Sequence, residues 1–376
     1  MIISIAMGPW LPVPAVQGGA IPRMWQGLAE EFAKQGHQVK ICCRSYPGQP
    51  NREIINGVEY IRWGGLSQST NIGWDLIKDF CYACVTFPFL PPADILIVND
   101  FWLPVFAALR PRVGKIVINA NRFPKGQYRL GLYQKTALFA AASQAIQDQI
   151  LQEYPAAITR IKVIPNPIDT NIFYPAPRSP IKPIELIILY VGRVHPEKGI
   201  HILVEAFAIL SQQFSSIKLR IIGPYKENQG GGGQKYLATL QSQAQGLNVE
   251  FLEPIFNVQK LAAAYREADL FCYPSLAEKG EAFGVSPLEA MASGLVPIIS
   301  DLACFKDFIE ERTTGYYFDH RHTDAAKNLA AKLAAAIMDW ENTHIMSIHG
   351  VKKSAEFSYD KIAASYLADF AQLLAN

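Results

Sequence analysis

Residues 270–300 read LFCYPSLAEKGEAFGVSPLEAMASGLVPIIS, and this stretch contains the pattern that predicts the fold. An apolar strand, Leu270–Tyr273, is followed by a polar loop, and a second apolar strand spans Val296–Ser300. A helix is predicted to begin near Ser286 and Pro287, because Ser is a preferred N-cap residue and Pro is favoured at the first helical position. Two strands joined through a helix predict parallel neighbours in a sheet that helices cover.

The same alternation of short apolar runs and longer amphipathic segments extends along nearly the whole chain. It predicts an α/β protein with parallel sheets, in which helices such as Ala20–Gln35 pack on both faces. The predicted strands of the first half are Ile2–Met7, Gln38–Cys43, Val58–Arg62, Asp94–Val98 and Lys115–Asn119, and the second half adds Glu185–Val191, Lys218–Ile222 and Val249–Leu252.

A proline-rich segment, IPNPIDTNIFYPAPRSPIKP, separates the two halves and holds six prolines between Pro165 and Pro183. Proline fixes φ and removes a hydrogen-bond donor, so this segment is predicted to be a stiff linker. The expected organisation is a first domain over residues 1–165, a linker over 166–184 and a second domain over 185–356, with a C-terminal helix over 357–376.

The composition is that of an ordinary folded protein, with 376 residues, 50% hydrophobic and 18% charged residues and a net charge of +2. These values exclude a disordered chain and argue against a nucleic-acid partner. The charge is uneven, because residues 1–165 hold sixteen Lys and Arg against ten Asp and Glu. A membrane or other anionic partner for this half, and a merely basic surface, both remain open. Seven of the basic residues lie between Asp100 and Asp148, a range without acidic residues: Arg110, Arg112, Lys115, Arg122, Lys125, Arg129 and Lys135.

The remaining composition signals predict a cytoplasmic protein. The six cysteines are scattered, and the single CxxC, Cys81/Cys84, is interpreted as core packing rather than as half of a zinc site. The pattern is typical of a reducing compartment. The apolar run Phe80–Leu90 is too short to span a bilayer, and the N-terminus has the pattern of a buried strand rather than of a signal peptide.

The first candidate site follows a buried strand in YVGRVHPEKGI, residues 190–200. The strand ends at Gly192, and Arg193 and Lys198 follow before a helix. Ligands of doubly wound sheets bind beyond the carboxyl ends of the strands, and a guanidinium beside an ammonium suits a diphosphate. A solvated loop between a strand and a helix would also favour polar residues.

The second candidate site is the loop and helix start within residues 270–294. Glu281 and Glu289 are spaced E-x7-E, and carboxylates suit the vicinal hydroxyls of a ribose or a hexose. The backbone N–H groups of Phe283, Gly284 and Val285 are predicted to meet a ligand oxygen near the helix N-terminus. The structural alternative for Glu289 is a capping box with the predicted N-cap serine three residues earlier.

Two glycine-rich sequences are candidates for phosphate-binding elements. Gly18 and Gly19, between the first strand and the first helix, would let a phosphate approach the backbone, although an ordinary turn explains them equally well. GGGGQ at 230–234 lacks the Lys-Ser/Thr of a phosphate loop and is predicted to be a flexible surface loop.

These residues together resemble the retaining glycosyltransferases of family four. The resemblance is carried by VGRVHPEKG, by FLEPIFNVQKLAAAYREADLFCYPSLAEKGEAFGVSPLEAMASG and by IPNPIDTNIFYP, which is similar to the family's linker. It implies the GT-B fold, in which two Rossmann-like domains face each other across a cleft and the last helix crosses back to the first domain.

The resemblance also implies roles for the candidate residues. Arg193 and Lys198 would bind the diphosphate of a nucleotide-sugar donor, and Glu281 would contact the sugar. Glu289 would hold the ribose hydroxyls. The further donor-binding residues would be Gly18, Gly19, Gly192, Gly223, Ile255, Phe283, Gly284 and Val285, together with Asn121, which takes the place of a histidine that the family usually has.

The implied activity is transfer of a sugar, with retention of anomeric configuration, from UDP- or GDP-sugar to an unidentified lipid or glycan acceptor. No metal or other cofactor is expected, because no DxD-like pair stands where a diphosphate would sit. Asn99 stands where the family usually has a second histidine, and asparagine cannot act as a base. The alternatives are a silent protein that only binds nucleotide-sugars and a GT-B epimerase.

Overall fold

The chain divides into two compact units, Met1–Pro167 with Tyr359–Asn376 and Ile168–Ser358. The computed structural model describes residues 1–16, 18–69, 71–177 and 180–375, so Arg178 and Ser179 of the predicted linker lie outside it.

The first unit is built on a sheet whose described strands have the order β3-β4-β2-β1-β5-β6-β7-β8. All neighbours pair in parallel except β3, which pairs antiparallel with β4 at one edge. The strands are β1 Ile2–Ala6, β2 Gln38–Arg44, β3 Arg52–Ile55, β4 Val58–Trp63, β5 Ile95–Val98, β6 Lys115–Ala120, β7 Thr136–Ala141 and β8 Ile161–Val163, and the first helices are α1 Ala20–Lys34, α2 Ile72–Thr86, α3 Leu103–Ala107 and α4 Gln144–Glu153.

The second unit repeats this architecture with its described strands in the order β11-β10-β9-β12-β13-β14, all parallel. Its strands are β9 Leu186–Val191, β10 Ile217–Ile222, β11 Val249–Leu252, β12 Leu270–Tyr273, β13 Val296–Ser300 and β14 Tyr316–Phe318, and its helices are α5 Ile200–Ser211, α6 Gly233–Gln243, α7 Val258–Glu267, α8 Val285–Ala292, α9 Ala325–Met338 and α10 Trp340–Ser354. In chain order this is the doubly wound 3-2-1-4-5-6 arrangement, which reverses direction between β9 and β12.

The last helix, α11 Tyr359–Ala375, belongs to the first unit, as the resemblance implied. It packs on α1 through aromatic side chains. The ring centroids of Trp25 and Tyr366 lie 5.6 Å apart, and those of Phe32 and Phe370 lie 6.0 Å apart. These rings belong to the same apolar core as β1 and β2, so α11 completes the core of the first sheet.

The first part of the predicted linker packs on the second unit. Phe173 is buried with its ring centroid 5.7 Å from that of Tyr265. Arg266, on the same helix α7, donates to the carbonyl of Ile172 and lies over the ring of Tyr174. The described part of this segment therefore packs on α7. The proline content of the segment did not indicate this contact.

Two local predictions are wrong. Cys81 and Cys84 do not pack in the core but are exposed on α2, and all six cysteines are free thiols. GGGGQ is not a surface loop, because Gly231 and Gly233 are buried and α6 begins within the run. Among the described residues, no helix is both long and apolar enough to cross a membrane.

Candidate nucleotide-sugar site

The predicted site residues of the second unit gather at the carboxyl edge of its sheet. Arg193 and Lys198 follow β9, and Glu281 follows β12, which is the neighbour of β9. The strand order reverses between these two strands, and the loops that leave such a point diverge and open a crevice for a ligand. The sheet topology therefore brings together residues that are more than 80 positions apart in sequence.

Lys198 and Glu281 form a buried ion pair. Nζ of Lys198 lies 2.6 Å from Oε2 of Glu281, and the two residues are 5% and 9% exposed. The hydroxyls of Ser275 and Tyr273 also donate to Oε2, at 3.1 and 3.3 Å. No hydrogen bond from the described residues reaches Oε1 of Glu281. One carboxylate oxygen is thus fixed by the protein, whereas the other has no hydrogen-bond partner among the described residues.

Tyr273 is held as a hydrogen-bond donor in this cluster. Burial, followed by the negative charge of Glu281, raises the pKa of its hydroxyl well above the ordinary value. The phenol therefore stays protonated at physiological pH and continues to donate to the carboxylate. Its ring also faces the ammonium of Lys198, with Nζ 5.7 Å from the centroid, so the same residue supports both members of the pair.

Arg193 is held by two oxygen acceptors. Nη1 donates to the carbonyl of Gly230 at 2.8 Å, and Nη2 forms an ion pair with Glu197. The Arg193 side chain is 41% exposed, much more than that of Lys198. The guanidinium is therefore oriented but accessible, and a diphosphate could replace Glu197 as its partner. Gly230, the first residue of the run GGGGQ, lies against the Arg193 side chain, and this contact helps to explain why the run is packed.

Gly192 and Gly223 bring the ends of β9 and β10 into close contact. A Cβ placed on Gly223 would lie 1.8 Å from the carbonyl oxygen of Gly192, and the φ of Gly223 is +155°. Only a residue without a side chain can occupy such a position. Ile255, which follows β11, is half-buried at the same edge of the sheet. Gly192, Gly223 and Ile255, which the resemblance implied as donor-binding residues, therefore lie at the same edge of the sheet.

The start of α8 differs from the sequence prediction. The helix begins at Val285, and Gly284 is the N-cap with φ 90°, so Ser286 lies inside the helix and is not the cap. A Cβ on Gly284 would lie 2.4 Å from the ring of Phe305, which explains the glycine. Within the described ranges, the N–H groups of Phe283, Gly284 and Val285 donate to no protein acceptor. They remain suited to a ligand oxygen.

Glu289 is not part of a capping box. It lies in the second turn of α8, is 2% exposed, and its Oε2 accepts a hydrogen bond from the hydroxyl of Tyr265 at 3.2 Å. The structural alternative drawn from the sequence is thus wrong. Its predicted ribose contact stays a prediction, because the described structure contains no ligand.

The first unit places Gly18, Gly19 and Asn121 at the carboxyl edge of its own sheet. Gly18 and Gly19 have φ of 76° and 102°, and Gly19 is the N-cap of α1. Both amide atoms of Asn121 are buried and have no hydrogen-bond partner among the described residues. Asn99 is different, since its Oδ1 accepts from Trp25 and Asn119 and its Nδ2 donates to the carbonyl of Ala6. Of these two asparagines, only Asn121 has an amide without a hydrogen-bond partner among the described residues.

Asp100, which the sequence did not indicate as a site residue, follows β5 at the carboxyl edge of the first sheet. Its Oδ2 is buried and accepts no hydrogen bond from the described part of the chain. Burial, followed by the negative charge of Asp79, raises the pKa of Asp100 well above its ordinary value. Strongly shifted carboxyl groups at such edges are frequent in functional sites. A carboxyl residue two positions after a buried apolar strand was the available signal.

Comparisons with known proteins agree with the motifs. The description "Glycosyl transferases group 1" matches residues 176–353, and "Glycosyltransferase Family 4" matches residues 21–172. The phosphatidyl-myo-inositol mannosyltransferase of Mycobacterium tuberculosis is 32% identical over 325 residues, which are 80% of this chain and 79% of that protein. The chain belongs to glycosyltransferase family four.

Family four membership makes this chain a glycosyltransferase by class. The D-inositol 3-phosphate glycosyltransferase of Segniliparus rotundus is a further relative, 26% identical over 238 residues. That match covers 61% of this chain, and the chain spans only 51% of the length of that relative.

Solved structures show that the family four chain has the GT-B fold. Sucrose-phosphate synthase from Thermosynechococcus elongatus superimposes with a TM-score of 0.78 at 19% identity, covering 100% of this chain and 99% of that one. An Anabaena protein solved with UDP and glucose gives a TM-score of 0.73 at 18% identity, covering 99% and 100%. At these identities the comparison establishes the fold alone.

Proposed function

We propose that this glycosyltransferase moves a sugar from a nucleotide diphosphate sugar, with UDP or GDP as the nucleotide, to a lipid or glycan acceptor. The observation that carries the proposal is the convergence of Arg193, Lys198 and Glu281 where the order of the second sheet reverses. Two cations beside one partly free carboxylate suit a diphosphate joined to a polyhydroxylated ring. The Anabaena structure with UDP and glucose supports this donor class.

The proposed reaction uses the cations to stabilise the leaving group. When the bond between the anomeric carbon and the phosphate oxygen breaks, negative charge grows on the diphosphate. Lys198 and Arg193 would bind it, and one preorganised donor of this kind is worth several kcal/mol of the barrier, roughly 3–4. Because these two side chains carry the positive charge, we propose that the reaction needs no metal or other cofactor.

The anomeric configuration is proposed to be retained. The acceptor oxygen would form its bond to the anomeric carbon on the face from which the diphosphate leaves, and its proton would pass to the departing phosphate oxygen. This scheme needs no protein base, which suits Asn121 in place of a histidine, since an amide cannot accept the proton. Asn121 would instead hydrogen-bond a hydroxyl of the donor sugar.

The acceptor is proposed to bind the first unit. The buried Oδ2 of Asp100, which has no hydrogen-bond partner among the described residues, offers a polar partner for its hydroxyls. The basic surface favours an acceptor with negative charge, and the relative named for phosphatidyl-myo-inositol supports a phospholipid. We further propose a cytoplasmic location, in which the six free cysteines stay reduced.

A binding screen followed by product analysis tests the proposal. The protein is titrated with UDP, GDP, ADP and their sugar conjugates by calorimetry and thermal shift, because a ligand of the folded state raises the melting temperature. We expect one nucleotide series to bind, and its sugar conjugate to release nucleotide only when an acceptor is present. Proton NMR then reads the anomeric configuration, and EDTA should leave turnover unchanged.

Each alternative gives a different result in the same screen. An epimerase would release free nucleotide and an altered sugar without any acceptor. A protein that only binds nucleotide-sugars would show calorimetric binding without hydrolysis or transfer under every acceptor. A complete absence of nucleotide binding would contradict the proposed donor class itself.

A further inference from the structure

Helix α2 of the first unit has its polar and apolar sides inverted. Its buried side contains Asp79, Tyr82 and Thr86. Its outward side carries large apolar residues, among which Ile72, Trp74 and Val85 are 58%, 61% and 63% exposed. A helix on the surface of a water-soluble protein normally buries its apolar side and exposes its polar side. We call the outward side the apolar face, defined by Ile72, Trp74, Leu76, Ile77, Phe80 and Val85.

The apolar face is concentrated and continues beyond the helix. In the described part of the chain, seven of the twenty-one exposed large hydrophobic residues lie between Ile72 and Phe89. The short helical turn Phe87–Phe89 extends the face, with Phe89 65% exposed, and Leu109 adds a residue that is 72% exposed. Contiguous apolar surface of this kind marks an interaction site, whereas single exposed residues do not.

The structure holds this helix firmly in its inverted orientation. The carboxylate of Asp79 accepts the backbone N–H groups of Phe101 and Trp102, at 3.1 and 3.0 Å. The indole of Trp102 donates to the carbonyl of Leu76, and its ring lies 5.4 Å from that of Phe80. Because the carboxylate of Asp79 is satisfied inside the unit, the helix cannot rotate its apolar side inward without losing these hydrogen bonds.

Basic residues border the apolar face. Arg110 donates to the carbonyls of Phe87 and Pro88, and Lys135 donates to that of Ala108, one residue before Leu109. Arg112, Lys115 and Lys135 are exposed, and no acidic residue occurs between Asp100 and Asp148. Arg110 and Lys135 therefore place positive charge beside the Phe87–Phe89 turn and Leu109.

We propose that the apolar face and the Phe87–Phe89 turn dock onto an anionic membrane, with α2 lying in the plane of the interface. Apolar side chains would enter the boundary between headgroups and acyl chains, and the bordering cations would contact anionic headgroups. A helix of 15 residues is about 22 Å long, too short to span the bilayer. Tryptophan is also enriched at this depth of membranes.

The positive charge beside the apolar face favours a bilayer over a second copy of the chain. In a two-fold dimer each copy would place its basic border near that of its partner, which opposes association. An anionic membrane complements the apolar side chains and the cations together. The inference deepens the proposed function. Only one consequence rests on that function, namely that the acceptor would be a membrane-borne molecule reached by a docked enzyme.

The test is flotation of the full-length protein with vesicles, without donor or acceptor. Vesicles of phosphatidylcholine alone are compared with vesicles of phosphatidylcholine and phosphatidylglycerol in equal parts. We expect association with the anionic vesicles, weakened by salt, together with a blue shift of tryptophan fluorescence. Because no sugar transfer is measured, the result is independent of the donor and of catalysis.

Two sets of variants assign the binding to the proposed residues. Trp74→Ser/Ile77→Ser/Val85→Ser should abolish vesicle binding without lowering the melting temperature, since these side chains are exposed. The matched control, Met338→Ser/Ile345→Ser/Ile348→Ser, removes exposed apolar residues of the second unit and should bind normally. Arg112→Gln/Lys115→Gln/Lys135→Gln should weaken binding to anionic vesicles by about 100-fold, on the scale of three surface cations.

Three outcomes would overturn the proposal: no association with anionic vesicles at low salt, association that the serine variant retains, or association independent of salt and of the three cations. Sedimentation velocity completes the test. Self-association of the unmodified protein that the serine variant lacks would assign the apolar face to a second copy of the chain instead.

Discussion

The ammonium of Lys198 lies 2.6 Å from a carboxylate oxygen of Glu281, and the two residues come from loops that follow adjacent strands of the second sheet. The ammonium of this pair is buried. Tyr273 and Ser275 donate to the same oxygen, Oε2 of Glu281, and so help to orient the pair. The other oxygen, Oε1, has no hydrogen-bond partner among the described residues. The pair contributes to folding as well as to chemistry, so the two contributions must be separated by experiment.

Replacing Lys198 is expected to remove leaving-group stabilisation. Lys198→Met keeps much of the side-chain volume but not the charge, and kcat for sugar transfer should fall about 100-fold or more, the scale of losing one oxyanion-type donor. Steady-state kinetics with the identified donor measures this. Turnover close to that of the unmodified enzyme would remove Lys198 from the mechanism.

The same substitution leaves the buried carboxylate of Glu281 without its partner. Breaking a buried ion pair costs about 3–5 kcal/mol, so Lys198→Met should also lower the melting temperature. Lys198→Met/Glu281→Gln should recover most of the stability but none of the turnover. If turnover returned together with stability, the effect of the single substitution would be structural.

Arg193 is expected to act on binding with little effect on stability. Its pair with Glu197 is exposed, and such pairs contribute about 0–1 kcal/mol. Arg193→Ala should therefore weaken nucleotide diphosphate binding in calorimetry by about tenfold or more while the melting temperature changes little. Glu197→Gln is the control, because it removes the competing carboxylate and should leave affinity equal or higher. Weaker binding in Glu197→Gln would contradict this role for Glu197.

Gly223 should tolerate no side chain. In Gly223→Ala the methyl group would meet the carbonyl oxygen of Gly192, and the strands would have to separate. We expect the free energy of unfolding to fall by about 3 kcal/mol or more, because of overpacking combined with backbone strain. Gly246→Ala is the matched control, because Gly246 also has positive φ, 80°, but no atom within 4 Å of the added methyl. The free energy of unfolding of Gly246→Ala should fall by about 1–2 kcal/mol. Equal losses in denaturant unfolding would contradict the steric argument.

Asp100 gives a prediction for pH. Its folded-state pKa is raised above the ordinary value of 3.8, so its protonated form stabilises the fold below that pH. This contribution is lost as pH rises from the ordinary value through the folded pKa, where the buried carboxyl ionises. Asp100→Asn should therefore raise the melting temperature at pH 8, and the gain should shrink toward pH 4.

An exposed aspartate provides the comparison for Asp100→Asn. Asp148→Asn also removes one negative charge from the first unit, but from its surface. We expect it to leave the melting temperature nearly unchanged at pH 8. A gain that is equal in the two variants would trace the effect to net charge, and a gain for Asp100→Asn that does not vary with pH would contradict the raised pKa.

Much of the fold was predictable because hydrophobic periodicity is a local property of sequence. The strands Leu270–Tyr273 and Val296–Ser300 were predicted with the bounds that the structure has. The short edge strands β3, β8 and β14 were missed, since three or four residues carry too little periodicity, and the six-residue strand β7 was missed as well. The start of α8 was misplaced because Ser286 is a favourable cap, whereas Gly284 is placed there by its contact with Phe305.

The identity of the site residues was likewise predictable, but their partners were not. The spacing of Glu281 and Glu289 and the cations after β9 are visible in the sequence. That Glu281 pairs with Lys198 depends on β12 lying beside β9, and that Glu289 meets Tyr265 depends on the packing of α8 against α7. Asp100 was missed because its raised pKa arises from burial and from Asp79, which lies on another element.

The sequence by itself determined the α/β architecture, the family and the set of polar residues available for chemistry. Only the tertiary structure decided which of them are paired, buried or open to a ligand, because these properties depend on elements that meet across the sheet. Helix α2 shows the difference most clearly. Periodicity identifies an apolar and a polar side, but the contacts of Asp79 decide that the polar side is inside.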